Sequence, residues 1–153
     1  DAQAATGPSE NGPVWEGRVL VVEDEIVNQR VIAVMLKRFG LEAVVVDNGL
    51  DAVERAVNER WQLVLMDVRL PGIVGQEATR RSRARLGERP LRIVALTANA
   101  MPSDREACLR AGMDDFLTKP VQRQALQACL KRWLGETRSL AASGGRTRVT
   151  SGQ

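Results

Sequence analysis

Four short stretches of this chain place chemically capable side chains at the end of apolar runs. "VLVVEDE" ends in Glu23, Asp24 and Glu25, "LVLMD" in Asp67, "RIVALT" in Thr97 and "FLTK" in Lys119. Each has an ordinary reading on its own. Acids ahead of a helix suit its dipole, a threonine suits a strand, Asp67 could open a turn before Pro71, and Lys119 could be a loop charge. None of those readings explains why all four fall at the same end of successive apolar runs.

The chemistry follows from charge. Carboxylates about 5 Å apart at an effective dielectric near 20 repel by roughly 3 kcal/mol per pair, so Glu23, Asp24 and Asp67 need a cation to hold them together. The chain has no histidine. Hard oxygen ligands without imidazole or thiolate select Mg²⁺, or Mn²⁺. Lys119 adds a point charge suited to a phosphoryl oxygen, and Thr97 a hydroxyl donor. A divalent ion, a protruding carboxylate, a lysine and a hydroxyl make a site for receiving a phosphoryl group, with Asp67, from the central run, as nucleophile.

The elements that must position these residues can be read from periodicity. Apolar runs at 18–22, 42–46, 63–66, 92–96 and 116–117 alternate with helix-like stretches near 26–39, 49–59, 75–86, 103–111 and 121–134. Val27, Val31, Val34, Met35 and Phe39 fall at spacings of three and four, which is one face of a helix. Gly40, Gly87, Gly112 and Gly135 stand where left-handed residues close helices, and Ser103 with Glu106 has capping-box spacing at the fourth. Continuous apolar strands alternating with helices predict a parallel sheet covered on both faces, a doubly wound α/β sandwich. In such sheets ligands bind beyond the carboxyl ends of the strands, which is where the four stretches deliver their polar residues.

Composition narrows the classes. The 153 residues, 44% hydrophobic and 27% charged, suit one core. A net charge of +3 with only 3% aromatic residues argues against a nucleic-acid surface. Cys108 and Cys129 are far apart and form no C-x-x-C pair, which suggests small packed residues in a reducing compartment. No apolar run is long enough to span a bilayer. The expectation is a soluble, cytoplasmic domain, whatever anchors its parent. Residues 1–16 and 136–153, rich in small and polar types, are expected to be flexible linker and tail around a domain at 17–135.

The motifs "VLVVEDEIVNQRV", "LVLMDVRLPG", "RIVALTANAM" and "DDFLTKP", in this order, resemble the receiver domain of two-component response regulators over about residues 17–135. The resemblance implies a flavodoxin-like (βα)5 fold with strand order 2-1-3-4-5. It implies Asp67 as phosphoacceptor, and Glu23, Asp24 and the Arg69 backbone carbonyl as further Mg²⁺ ligands. Thr97 matches the switch hydroxyl, Phe116 the switch aromatic and Lys119 the phosphate-pairing lysine. The Lys119–Pro120 bond is cis in the family, which fits a tight turn. The domain would be no enzyme by itself beyond catalysing its own aspartyl phosphorylation and dephosphorylation.

"VNQRV" and "ALTANAM" look like receivers attached to hybrid sensor histidine kinases. The implied partner is a histidine kinase or a histidine phosphotransfer domain, with no contact to nucleic acid or membrane by this domain. Two departures stand out: Val74-Gly75 replaces a common Asp-Gly, and Arg69 is a bulky cation close to the acceptor. Arg69 and Asn99 are expected to set the phosphoryl lifetime, which a comparison of dephosphorylation rates for Arg69→Ala and the parent would decide. The alternative function is a receiver-like binding scaffold that is never phosphorylated. A haloacid-dehalogenase-type phosphatase would want an acid where Arg69 stands, and a flavin-binding loop after the first strand would be repelled by Glu23, Asp24 and Glu25.

Overall fold

The computed structural model describes residues 14–99 and 101–135. Of the expected linker and tail, 1–13 and 136–153 lie outside the described residues. The chain alternates β1 (Arg18–Val22), α1 (Ile26–Arg38), β2 (Glu42–Val46), α2 (Gly49–Asn58), β3 (Leu63–Asp67), α3 (Gly75–Leu86), β4 (Ile93–Thr97), α4 (Pro102–Ala111), β5 (Asp115–Thr118) and α5 (Arg123–Leu134). All five strands are parallel, in the order β2-β1-β3-β4-β5. The doubly wound, flavodoxin-like sandwich is therefore present with the expected strand order.

Alternation along the strands builds two cores. Val19, Val21, Leu63, Leu65, Val94 and Leu96 point to the side covered by α1 and α5, where they meet Ile32, Leu36, Leu126 and Leu130. Leu20, Val22, Val64, Met66, Ile93 and Ala95 point to the other side, against Ala52, Val53, Ala56 and Ala78 of α2 and α3 and Cys108 of α4. Every residue of β3 and β4 is buried, as expected for central strands with both faces covered. Cys108 and Cys129 are buried free thiols, and burial pushes Cys129 up to about 12. That suits the expected packing role.

The apolar face read on α1 proves largely exposed, and two local expectations change. Val27, Val31 and Val34 are 72%, 43% and 54% exposed, while Ile32, Leu36 and Phe39 are buried. Helix α1 carries two apolar stripes roughly 140° apart at 3.6 residues per turn, and the larger side chains face the sheet. The capping box is absent, because α4 starts one residue earlier: Met101 is its N-cap, without a side-chain hydrogen bond, and Pro102 opens the first turn. The four helix-closing glycines all have positive φ, but among the C-cap residues only Gly112 is in the left-handed helical region.

The packed body also reaches back past residue 17. Trp15 is 6% exposed and stands edge-on to Phe39 with centroids 5.7 Å apart. Its backbone N–H donates to the Phe39 carbonyl at 2.7 Å, and its indole N–H donates to the Gly135 carbonyl at 3.1 Å. It thus pins the segment before β1 to the ends of α1 and α5. Trp15→Ala is expected to lower the unfolding free energy by about 3–5 kcal/mol. Trp15→Phe, which keeps a ring and loses the N–H, is expected to cost less than half of that; urea titration of both variants measures the difference.

Candidate phosphoacceptor and metal site

The parallel sheet brings its strand ends to one edge, and the site is built there. Asp67 is the last residue of β3, in register with Leu96 of β4, and is only 2% exposed. Glu23 leaves β1 and is fully buried, with its N–H donating to the Val46 carbonyl of β2 at 3.0 Å. Asp24 follows it into solvent. Lys119 leaves β5 with its backbone N–H bonded to the Thr97 carbonyl at 2.8 Å, and the Lys119–Pro120 bond is cis.

Four of the expected residues converge. The Lys119 ammonium donates to Asp67 Oδ2 at 2.8 Å and to Glu23 Oε1 at 3.4 Å. One carboxylate oxygen from each of Glu23, Asp24 and Asp67 lies within 4.8 Å of the others. Two oxygens opposite one another on a six-coordinate Mg²⁺ are about 4.2 Å apart, so the cluster is close to the size of that ion. Three carboxylates against one ammonium leave two negative charges, and the donors are all oxygen. The residues fit a hard divalent cation.

The electrostatics agree. Burial raises the Glu23 carboxyl above its ordinary pKa, and the neighbouring Asp67 charge adds to this against the pull of the Glu25 N–H and Lys119. Burial also works against the Lys119 ammonium, but its hydrogen bond to Asp67 and the charges of Asp67 and Glu23 outweigh it and hold that pKa above the ordinary lysine value.

The other expected residues stand apart from this convergence. The Thr97 hydroxyl donates to the Asn99 carbonyl at 2.8 Å and accepts from the Asn99 N–H at 3.0 Å, so it is engaged with its own loop. It lines a cavity of about 250 Å³ with Val68, Arg69, Gln76, Asn99, Asp104 and Cys108. Phe116 is half-buried on β5, with the Arg105 guanidinium of α4 4.5 Å from its ring centroid. Arg69 touches Asp67 through its backbone, its N–H donating to Asp67 Oδ1 at 3.0 Å. Its side chain is exposed.

Sequence reasoning gave no role to three residues around the site. Gln29 donates its amide to the Glu23 carbonyl at 2.7 Å. Arg105 stacks on Phe116. Gly75 lets the start of α3 approach the end of β3, where a Cβ would run into the Asp67 carbonyl and the Val68 backbone. Val74, in place of the common aspartate, is the N-cap of α3 and makes no side-chain cap bond. Gln29 lies inside the quoted "VNQRV", so spacing on the first turns of α1 was the available signal.

A family model of the response regulator receiver domain matches residues 19–131. The chain belongs to the response regulator receiver domain family. It is 39% identical over 136 residues to the sensor histidine kinase GacS of Pseudomonas protegens, an alignment covering 87% of this chain and 15% of the kinase. This receiver thus spans a small part of that relative's length. It is 48% identical to the receiver domain of the sensor histidine kinase PA1611 of Pseudomonas aeruginosa, solved with magnesium coordinated in its active-site cleft. That match has a TM-score of 0.72 and covers 78% of this chain and 98% of the other. It is 31% identical to a chain in the co-crystal structure of the Saccharomyces cerevisiae phosphotransfer protein Ypd1 with the receiver domain of Ssk1, with a TM-score of 0.69 and coverage of 79% and 89%. Among the described residues, no helix of this receiver is long and apolar enough to cross a membrane.

The raised Glu23 pKa gives a pH dependence. The unfolded chain ionises this residue near 4.5, while the folded receiver holds the proton to higher pH. The group's contribution to stability therefore falls as pH rises from 4.5 through the folded value. In EDTA, Glu23→Gln is expected to unfold at a higher urea midpoint than the parent at neutral pH, by roughly a few tenths of a molar. The gap should close as pH falls toward 4.5, and Mg²⁺ should raise the midpoint of the parent more than that of the variant.

Proposed function

We propose that this receiver takes a phosphoryl group from a phosphohistidine onto Asp67. The observation that carries the reading is the convergence of Asp67 with Glu23, Asp24 and Lys119 at one strand edge. An Asp67 carboxylate oxygen attacks phosphorus, the P–N bond to the donor imidazole breaks, and the imidazole leaves with that electron pair and takes up a proton. Glu23, Asp24, Asp67 and the Arg69 carbonyl would hold Mg²⁺, which when bound neutralises charge on the transferring group; Mn²⁺ suits the same oxygens. Lys119, already against Asp67 Oδ2, turns to a phosphoryl oxygen as the charge there grows. Water attack on the acyl phosphate, with the Arg69 and Asn99 side chains governing its approach, reverses the modification.

The output is a change of surface. Thr97 exchanges its bonds to Asn99 for one to the phosphoryl group, and Phe116 moves toward the space it leaves, which reshapes the α4-β5-α5 face. The shift extends only as far as the phosphoryl group favours the rearranged state.

The phosphohistidine comes from a histidine kinase or a histidine phosphotransfer domain, and the receiver acts as a module of a hybrid kinase in the cytoplasm. The docking surface we assign is the outward stripe of α1, where Ile26, Val27, Val31 and Val34 are exposed directly after the acidic loop. Arg30, Arg38 and Arg123 rim a groove floored by Val31, Val34 and Met35. Contiguous exposed apolar residues with a polar rim suit a protein partner.

Incubation with acetyl phosphate and Mg²⁺ followed by intact-mass measurement tests the reading. One phosphoryl group is expected on the parent, none on Asp67→Asn and none in EDTA. Absence of the adduct on the parent would favour an unphosphorylated scaffold. Val31→Glu is expected to label normally from acetyl phosphate but to accept phosphate from a phosphorylated histidine phosphotransfer domain about tenfold more slowly, since about 1.4 kcal/mol of lost contact suffices.

A further inference from the structure

The acidic loop between β1 and α1 is held at several points, and one of them has no part in the chemistry above. The Glu23 N–H is tied to the Val46 carbonyl of β2, and Glu23 Oε2 accepts from the Glu25 N–H at 3.1 Å. Glu25 is the N-cap of α1 and makes no side-chain cap bond. Two amides of α1 add to these: Asn28 donates to Glu25 Oε1 at 2.8 Å, and Gln29, one turn into the helix, reaches back to the Glu23 carbonyl at 2.7 Å. That carbonyl belongs to the peptide joining Glu23 to Asp24.

Asp24 differs from its two fellow acids. Glu23 and Asp67 are buried and bonded to Lys119. The Asp24 carboxylate is exposed, with no hydrogen bond or ion pair among the described residues. Its direction is therefore set by its backbone and χ1 alone. Gln29 fixes the plane of the preceding peptide and so the direction of the Asp24 Cα–Cβ bond.

We propose that Gln29 is a positioning residue for the divalent-ion site, acting through the Glu23–Asp24 peptide on the Asp24 carboxylate. The inference rests on the phosphoacceptor reading given above. Its chemistry suits the task. The side chain is half-buried, so its rotamers are restricted, and a neutral amide orients the loop without adding a cation that would compete with the ion. Groups behind the ligands commonly govern metal affinity by about 10–100-fold.

Calorimetric titration with MgCl₂ of the unphosphorylated, full-length chain tests this, with urea unfolding in EDTA as the companion measurement. Gln29→Met keeps the length and loses the donor. Its Kd for Mg²⁺ is expected to rise about tenfold while the metal-free urea midpoint stays near that of the parent. Gln29→Asn, whose amide falls one methylene short, is expected to lose the same affinity and covers the case in which the methionine unsettles the fold. In an Asp24→Asn background the Gln29→Met effect should vanish, because the residue through which it acts is already changed. Unaltered Mg²⁺ affinity in both Gln29 variants would overturn the proposal, as would an equal loss in the Asp24→Asn background. No Mg²⁺ binding by the parent would instead overturn the phosphoacceptor reading itself.

Discussion

The structure depends on a repulsion that the fold is built to contain. Glu23, Asp24 and Asp67 are brought to one edge by β1 and β3, neighbours in the sheet, and two of the three are removed from water. Burying like charges together is costly unless something opposes it. Lys119, carried by β5 from the far side of β4, opposes only part of it. β3 lies at the centre of the sheet, where β1 and β4 flank Asp67. The residual negative charge suits the edge to a cation.

The sheet that holds this edge in place was largely legible in the sequence, because β1, β3 and β4 are buried on both faces and read as unbroken apolar runs. The convergence of Asp67, Glu23, Asp24 and Lys119 was legible for a related reason, since polar residues ending such runs have few structural explanations. What periodicity did not settle was which of two stripes on α1 faces inward: Val27, Val31 and Val34 have the right spacing, but Ile32 and Leu36 fill the space against the sheet. Capping at α4 was misplaced because Pro102 can open a helix without a side-chain acceptor ahead of it. Trp15 was hidden in a stretch of small and polar residues, where a single aromatic makes no pattern. Arg105 acts through a contact between α4 and β5, which no spacing along the chain encodes, whereas Gln29 reaches only six residues back and was open to a reading from spacing.

Helix α1 joins two tasks. Its inward side begins at the acidic loop, while its outward side carries the exposed valines. Val27 and Gln29 are two residues apart and so stand on opposite sides of the first turn of α1. Arg105 sets up a similar relation between α4 and β5, with a guanidinium over the ring of Phe116; such pairs contribute about 0.5–1 kcal/mol at exposed sites.

The opposite end of the molecule is organised differently. Trp15 reaches from the segment before β1 to the carbonyl of Gly135 after α5, so the approach to β1 and the end of α5 are clasped to each other. In a parallel sheet this clasp lies at the amino ends of the strands, a full strand length from Asp67. The segment before β1 and the end of α5 are thus joined at the pole opposite Asp67, and the edge that gathers Glu23, Asp24, Asp67 and Lys119 takes no part in that junction.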